Sequence, residues 1–318
     1  MKYITFDDIK KLNIEPYTCY EWVSQMIKDK NLAKLPPKIS MALGEGEFCN
    51  VMPCVIPDKE LGYVGGVKVV NRYPDRKPSL DSELMFLNMT TGEFLALMDA
   101  NWITAMRTGA VAAHSIERLA KKDFSTIAIL GLGNTARATL LVLESIFKDR
   151  DFTVKLLKYK GQEIDFAKRF EKYSNLHFYY IDTPEELVKG SEVVISCVTY
   201  SGKDFCRDEC FDEGVLVVPV HTRGFTNCDL FFDKIYADDY GHVCHFKNFD
   251  KFRKFGEMTD VVNGRIAGRE NNKERILAYN IGVSIHDINF AANIYRMIKD
   301  KKGLVDVDMH VPKEKFWI

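Results

Sequence analysis

The sequence lacks an excess of charge of either sign: 44 basic and 45 acidic side chains in 318 residues leave a formal net charge of -1. Such a chain has no long-range field to gather nucleic acid or an anionic membrane, which points to small-molecule chemistry. It also lacks any run of about 18 uninterrupted apolar residues, the length that would read as a membrane span. Met1 to Asp8 has neither a basic start nor a long apolar stretch, so no secretory leader is expected and the chain is expected in the cytoplasm. Tight Cys-x-x-Cys pairs are missing as well. The eight cysteines therefore read as reduced thiols and not as a disulfide framework. Cys206, Cys210, His242, Cys244 and His245 carry zinc-type donor atoms, but without that spacing no metal is expected. There is no internal repeat, and the length suffices for two domains with cores of their own.

What is present falls into two patterns. Residues 1 to about 115 hold short runs broken by Pro36-Pro37, Gly44-Glu45-Gly46, Gly65-Gly66 and Tyr73-Pro74, which predicts a twisted, β-rich module. Residues 62–70 and 83–88 read as strands, with 92–98 closing a hairpin. Trp102 to Lys121 reads as a helix leading onward. From Ser125, apolar strands at 126–130, 152–157, 177–181, 192–198 and 215–220 alternate with amphipathic helical stretches, the signature of a parallel sheet covered on both faces. The segment 282–302 reads as a long helix that returns to the first module. The expected fold is thus α/β: a doubly wound Rossmann sheet over 116–287, and a second α+β domain built from 1–115 and 288–318.

Ile127-Ala-Ile-Leu-Gly131-Leu-Gly133-Asn134-Thr135-Ala136 is an apolar strand entering a glycine turn and then a helix. Gly131 permits the tight turn, Gly133 lets the backbone approach a pyrophosphate, and Ala136 keeps helix and strand close, while the helix start offers amide donors. This predicts a nicotinamide dinucleotide, NAD or NADP, as cofactor. The next strand ends in Lys158-Tyr159-Lys160 with no acid to hold the ribose hydroxyls. Lys158 and Lys160 place positive charge where a 2′-phosphate would sit, which favours NADP(H) over NAD(H).

The run Met98-Asp-Ala-Asn-Trp-Ile-Thr-Ala-Met-Arg107-Thr108-Gly-Ala-Val-Ala-Ala resembles the signature of the ornithine cyclodeaminase/mu-crystallin family. Gly66-Val-Lys68, the glycine turn through Arg137, and Asn280-Ile-Gly-Val-Ser-Ile-His-Asp287 resemble further segments of that family, so the likeness spans nearly the whole chain. The resemblance implies a Rossmann domain joined to a substrate and dimerisation domain, a homodimer, and a small amino acid or imino acid as substrate. It implies that Lys68 and Arg107 bind the substrate α-carboxylate, with Lys68 also exchanging a proton with the amine or imine nitrogen. Two cations on a carboxylate would fix the α-carbon, and a neighbouring arginine favours a lysine's neutral amine. If so, neither cationic head should point into bulk water. By the same resemblance Lys38 stands for a third carboxylate-binding cation, where a point charge replaces a planar fork. Thr108 would touch the cofactor phosphates, and Ile281 would close over the substrate.

One departure bears on the reaction. Arg223 falls where cyclodeaminases of the family carry a catalytic aspartate, and a cation cannot act as that carboxylate base. An arginine there suits a substrate with a second carboxylate instead. With Ala237-Asp238-Asp-Tyr-Gly-His242-Val-Cys244, it resembles the branch of the family that oxidises N-(2-amino-2-carboxyethyl)-glutamate. His242 reads either as a general base or as a hydrogen-bonded structural histidine, and His221 and Asp238 carry the same two readings. The leading expectation is an NAD(P)-dependent oxidoreductase acting on the CH–NH or C=N bond of an amino acid or its imine, in either direction. Its rivals are a deaminating cyclase with no net redox change and a nucleotide-dependent small-molecule binder without turnover.

Overall fold

A computed structural model describes residues 1–199, 201–220, 224–308 and 312–317. By its contacts the chain divides into two compact units. One comprises Met1–Asn13, Leu32–Ile103 and Asp287–Ile318, and the other Ile14–Asn31 and Thr104–His286.

The first unit is built on one sheet. Strands β1 (Lys2–Ile4), β2 (Ile39–Gly44), β3 (Glu47–Asp58), β4 (Gly62–Arg72), β5 (Leu80–Asn88) and β6 (Phe94–Asp99) join the short strand Val305–Asp306. Their spatial order is Val305–Asp306, β1, β6, β5, β4, β3, β2. β2 to β6 form an antiparallel meander, and β1 runs parallel to β6. Because side chains alternate along a strand, residues directly opposite one another share a face. Met52, Lys68, Leu84 and Met98 make one such row across β3 to β6, and all four are buried. A lysine therefore occupies a place in an otherwise apolar row. The part of the helix Ser284–Ile298 that belongs to this unit packs on the sheet, with the Tyr295 ring 5.7 Å from Phe86 and the Phe290 ring 6.3 Å from Trp102.

The second unit holds β7 (Thr126–Leu130), β8 (Phe152–Leu157), β9 (Leu176–Ile181), β10 (Val193–Ser196), β11 (Leu216–Pro219), β12 (Lys234–Ala237), β13 (Phe255–Glu257) and β14 (Ile276–Tyr279). They form a parallel sheet in the order β13, β12, β14, β11, β10, β7, β8, β9, the doubly wound arrangement expected. β10, β11, β12 and β14 are buried along their whole length, as strands covered on both faces must be.

The division differs from the expected boundaries at 115/116 and 287/288. Residues 104–115 go with the second unit because the helix Asn101–Leu119 crosses the helix Asn134–Ile146 closely: a Cβ on Gly109 would meet the Ala138 backbone at 2.6 Å. Residues 14–31 go there too. They form the helix Pro16–Asp29, started by Pro16 in its first turn, whose buried Cys19, Val23, Met26 and Ile27 make an apolar stripe. Its end is fastened by Lys30, whose Nζ lies 2.7 Å from Asp239 and 2.9 Å from Glu257. Among the described residues no helix is long and apolar enough to cross a membrane, and the eight cysteines carry thiols and not disulfides.

Candidate active site

The glycine turn after β7 has the form that a dinucleotide requires. Gly131 sits at φ +81°, a left-handed conformation, and a Cβ there would meet the backbone of Cys197 and Val198 at 2.5 Å. Gly133 is the N-cap of the helix Asn134–Ile146, and a Cβ on it would meet nothing within 4 Å. Open space thus lies above a thirteen-residue helix whose first amides have no partner within the helix. Asn134 is exposed there and Thr135 half-buried, while Ala136 is buried against the sheet. At the end of the neighbouring strand β10, the Ser196 hydroxyl is buried without a hydrogen-bond partner among the described residues. The residues present therefore fit a pyrophosphate with a group beyond it at the β10 end. Thr108, expected at the phosphates, is buried, and its hydroxyl donates to the Thr104 carbonyl of its own helix at 2.6 Å.

At the far side of β8 the expected cations are engaged. Lys158 Nζ lies 2.9 Å from Asp182, the residue after β9. Lys160 adopts φ +53° and sets its ammonium 5.1 Å from the centre of the Tyr159 ring.

Neither expected substrate cation points into bulk water. Lys68 is fully buried on β4, and its ammonium donates to Asp287 Oδ1 at 2.8 Å, an equally buried carboxylate from the start of the C-terminal helix. Continuing the β2–β3 register by one residue puts the half-buried Lys38 across Met52 from Lys68, two strands away. That spacing is about 10 Å between backbones, within reach of two long side chains directed at one anion. Arg107, in the second unit, is 2% exposed on the helix Asn101–Leu119, two residues before the Gly109 crossing. Ile281 is buried in the loop between β14 and the C-terminal helix.

The remaining candidates sort by their partners. His242 Nδ1 meets Asp239 Oδ2 at 2.6 Å, which places the ring in the Lys30–Glu257 cluster. Asp239 is half-desolvated, which raises its pKa, yet hydrogen bonds from His242 and Lys30 outweigh this and hold the carboxyl at about 2. Asp238, just past β12, is buried and accepts from the Gly282 amide at 2.7 Å, so it fixes the loop that carries Ile281. Burial pushes its carboxyl upward, against the hydrogen bond from Gly282. Arg223 and His221 lie outside the described residues. Among the described residues no group of three or more histidine, cysteine, aspartate or glutamate side chains could hold a metal ion. Asp287, Ser196 and Asp182 were not singled out in the sequence.

Comparison with known proteins agrees with the α/β fold. The chain is 27% identical over 226 residues to N-((2S)-2-amino-2-carboxyethyl)-L-glutamate dehydrogenase of Staphylococcus aureus, covering 65% of each protein. In fold it is similar to Thermococcus litoralis Delta(1)-pyrroline-2-carboxylate reductase, solved in complex with NADH and L-proline, with a TM-score of 0.83, 22% identity, and coverage of 96% of this chain and all of that one. It is also similar to an archaeal alanine dehydrogenase dimer with bound NAD, with a TM-score of 0.80, 21% identity, and coverage of 96% and 99%. The sequence pattern of the ornithine cyclodeaminase/mu-crystallin family matches residues 13–302. With the glycine turn, the buried lysine and the two-unit architecture in place, the chain belongs to that family.

Proposed function

We propose that the protein is a nicotinamide-dinucleotide-dependent oxidoreductase that interconverts an amino acid and its imine at the Cα–N bond. The observation that carries this reading is the Lys68–Asp287 pair. A buried ion pair gains little stability over apolar side chains of the same volume, because desolvating both charges offsets their attraction. Its presence in an apolar row is accounted for by chemistry: Asp287 holds the Lys68 ammonium in one orientation, and Lys68 binds the substrate carboxylate and holds the proton exchanged with the substrate nitrogen. Arg107 binds the carboxylate through its planar fork, Lys38 adds a further positive charge, and Ile281 touches the substrate from the apolar side. The amides of Gly133 to Thr135 would hold the cofactor phosphates, joined by the Thr108 hydroxyl once it turns its proton from the Thr104 carbonyl, and the bound nicotinamide would supply or accept the hydride. Sequence relatives named N-((2S)-2-amino-2-carboxyethyl)-L-glutamate dehydrogenase, Delta(1)-pyrroline-2-carboxylate reductase and alanine dehydrogenase support this class.

The finer reading is a substrate with more than one carboxylate. The likeness to a dehydrogenase whose named substrate is a carboxyethyl-substituted glutamate supports it, and Arg223 is the residue assigned to the second acid. A homodimer is part of the same proposal. Edge strand β2 is hydrogen-bonded on one side among the described residues and exposes Ile39, Met41 and Leu43, and a relative in fold is a dimer. The thiol state of the cysteines supports a cytoplasmic setting.

The test is a screen of amino acids, cyclic imines, and keto acids with amines, read by reduced-nicotinamide absorbance with both cofactors. Net oxidation or reduction is expected, abolished by Lys68→Ala and by Arg107→Ala with dinucleotide affinity kept within several-fold. Arg223→Ala is expected to hurt a dicarboxylate more than a monocarboxylate. Ammonia release with ring closure and no net absorbance change would replace the oxidoreductase by a cyclase.

A further inference from the structure

We propose that Asp182 makes the nucleotide site selective for NAD(H) over NADP(H). The proposal rests on the reading of the turn Gly131–Ala136 as a dinucleotide site. In such a site the adenosine ribose falls at the end of the strand that follows the glycine-turn strand, and a carboxylate there accepts from the ribose hydroxyls. That strand is β8, which ends without an acid of its own. The parallel register supplies one from the neighbouring strand. Leu157 pairs with Ile181, the Lys158 amide donates to the Ile181 carbonyl at 2.9 Å, and Asp182 therefore leaves β9 beside Lys158, its Oδ1 2.9 Å from Lys158 Nζ.

The positive charge that favours NADP(H) in the sequence is thereby engaged at each position. Lys158 is paired with Asp182, and Lys160 lies against the Tyr159 ring. The turn itself is closed by a second acid: the carboxylate of Glu163, a largely buried residue, accepts from the Tyr159 amide at 3.0 Å. Arg137, in the helix after the glycine turn, holds its guanidinium over the Phe166 ring at 5.9 Å. A 2′-phosphate would bring two negative charges to a strand end that already holds Asp182 and Glu163, and it would compete with Asp182 for Lys158. Ribose hydroxyls, in contrast, are donors that Asp182 can accept from while it keeps Lys158.

The experiment is equilibrium binding of NADH and of NADPH, followed by calorimetry and by nicotinamide fluorescence, for the unaltered protein and for Asp182→Asn, Lys158→Ala and the double variant. The unaltered protein is expected to bind NADH at least about tenfold more tightly than NADPH. Asp182→Asn is expected to bring the two within about threefold, chiefly by strengthening NADPH through the released Lys158. The double variant is expected to lose that gain. A protein that prefers NADPH, or an unchanged ratio in Asp182→Asn, overturns the assignment while leaving the dinucleotide site standing. Binding of neither dinucleotide overturns the site and the assignment together.

Discussion

Two lysine–aspartate pairs in this molecule have nearly the same length and opposite character. Lys68 and Asp287 meet at 2.8 Å with both side chains fully buried, whereas Lys158 and Asp182 meet at 2.9 Å with 44% and 72% of their side chains exposed. Distance does not tell them apart, but surroundings do. In water an ion pair is worth little and salt weakens it, while out of water each partner depends on the other to offset a large desolvation cost. Between these extremes stands Lys30 with Asp239, at 8% and 14% exposure. The buried pair is suited to holding a proton in one place, and the exposed pair to being rearranged by what binds beside it.

The largest effect is expected at the buried pair. Asp287→Asn removes the carboxylate beside the buried Lys68 ammonium and should cost about 3–5 kcal/mol of stability in denaturant titration. The replacement Lys68→Met with Asp287→Leu should recover most of that loss yet show no turnover. A double variant that regained activity, or stayed as unstable as the single one, would mean the pair is kept for packing.

An intermediate effect is expected at Asp239. Its carboxyl is held at about 2, below the ordinary 3.8, so its contribution is present above pH 4 and fades as pH falls towards 2. Asp239→Asn should therefore lower stability by about 2 kcal/mol at pH 7 and by much less near pH 2. A difference independent of pH over that window would show that the charge of Asp239 is not what matters. The smallest effect belongs to Lys158→Ala, which should change stability by less than about 0.5 kcal/mol at any salt concentration.

The same contrast marks what the sequence made legible. Strands 126–130 and 152–157 have the bounds read from their apolar runs, and the turn from Gly131 to Ala136 is legible because its residues are consecutive. The helix Pro16–Asp29 was hidden among proline- and glycine-broken runs, although Pro16 and the spacing of Cys19, Val23, Met26 and Ile27 announce it. Asp287 could be read only as part of a helix start. Its partner is 219 positions away, and no local pattern joins the two. Asp182 was invisible for a similar reason: the acid sought at the end of β8 is delivered by β9, and only the register shows it.

The separation of Lys68 from its carboxylate also bears on how the chain folds. The helix that brings Asp287 and the strand Val305–Asp306 that pairs with β1 both follow the sheet of the second unit along the chain. Until that helix docks, burying the Lys68 ammonium lacks this carboxylate to offset its desolvation, so the core of the first unit is completed by a segment that follows the whole sheet of the second.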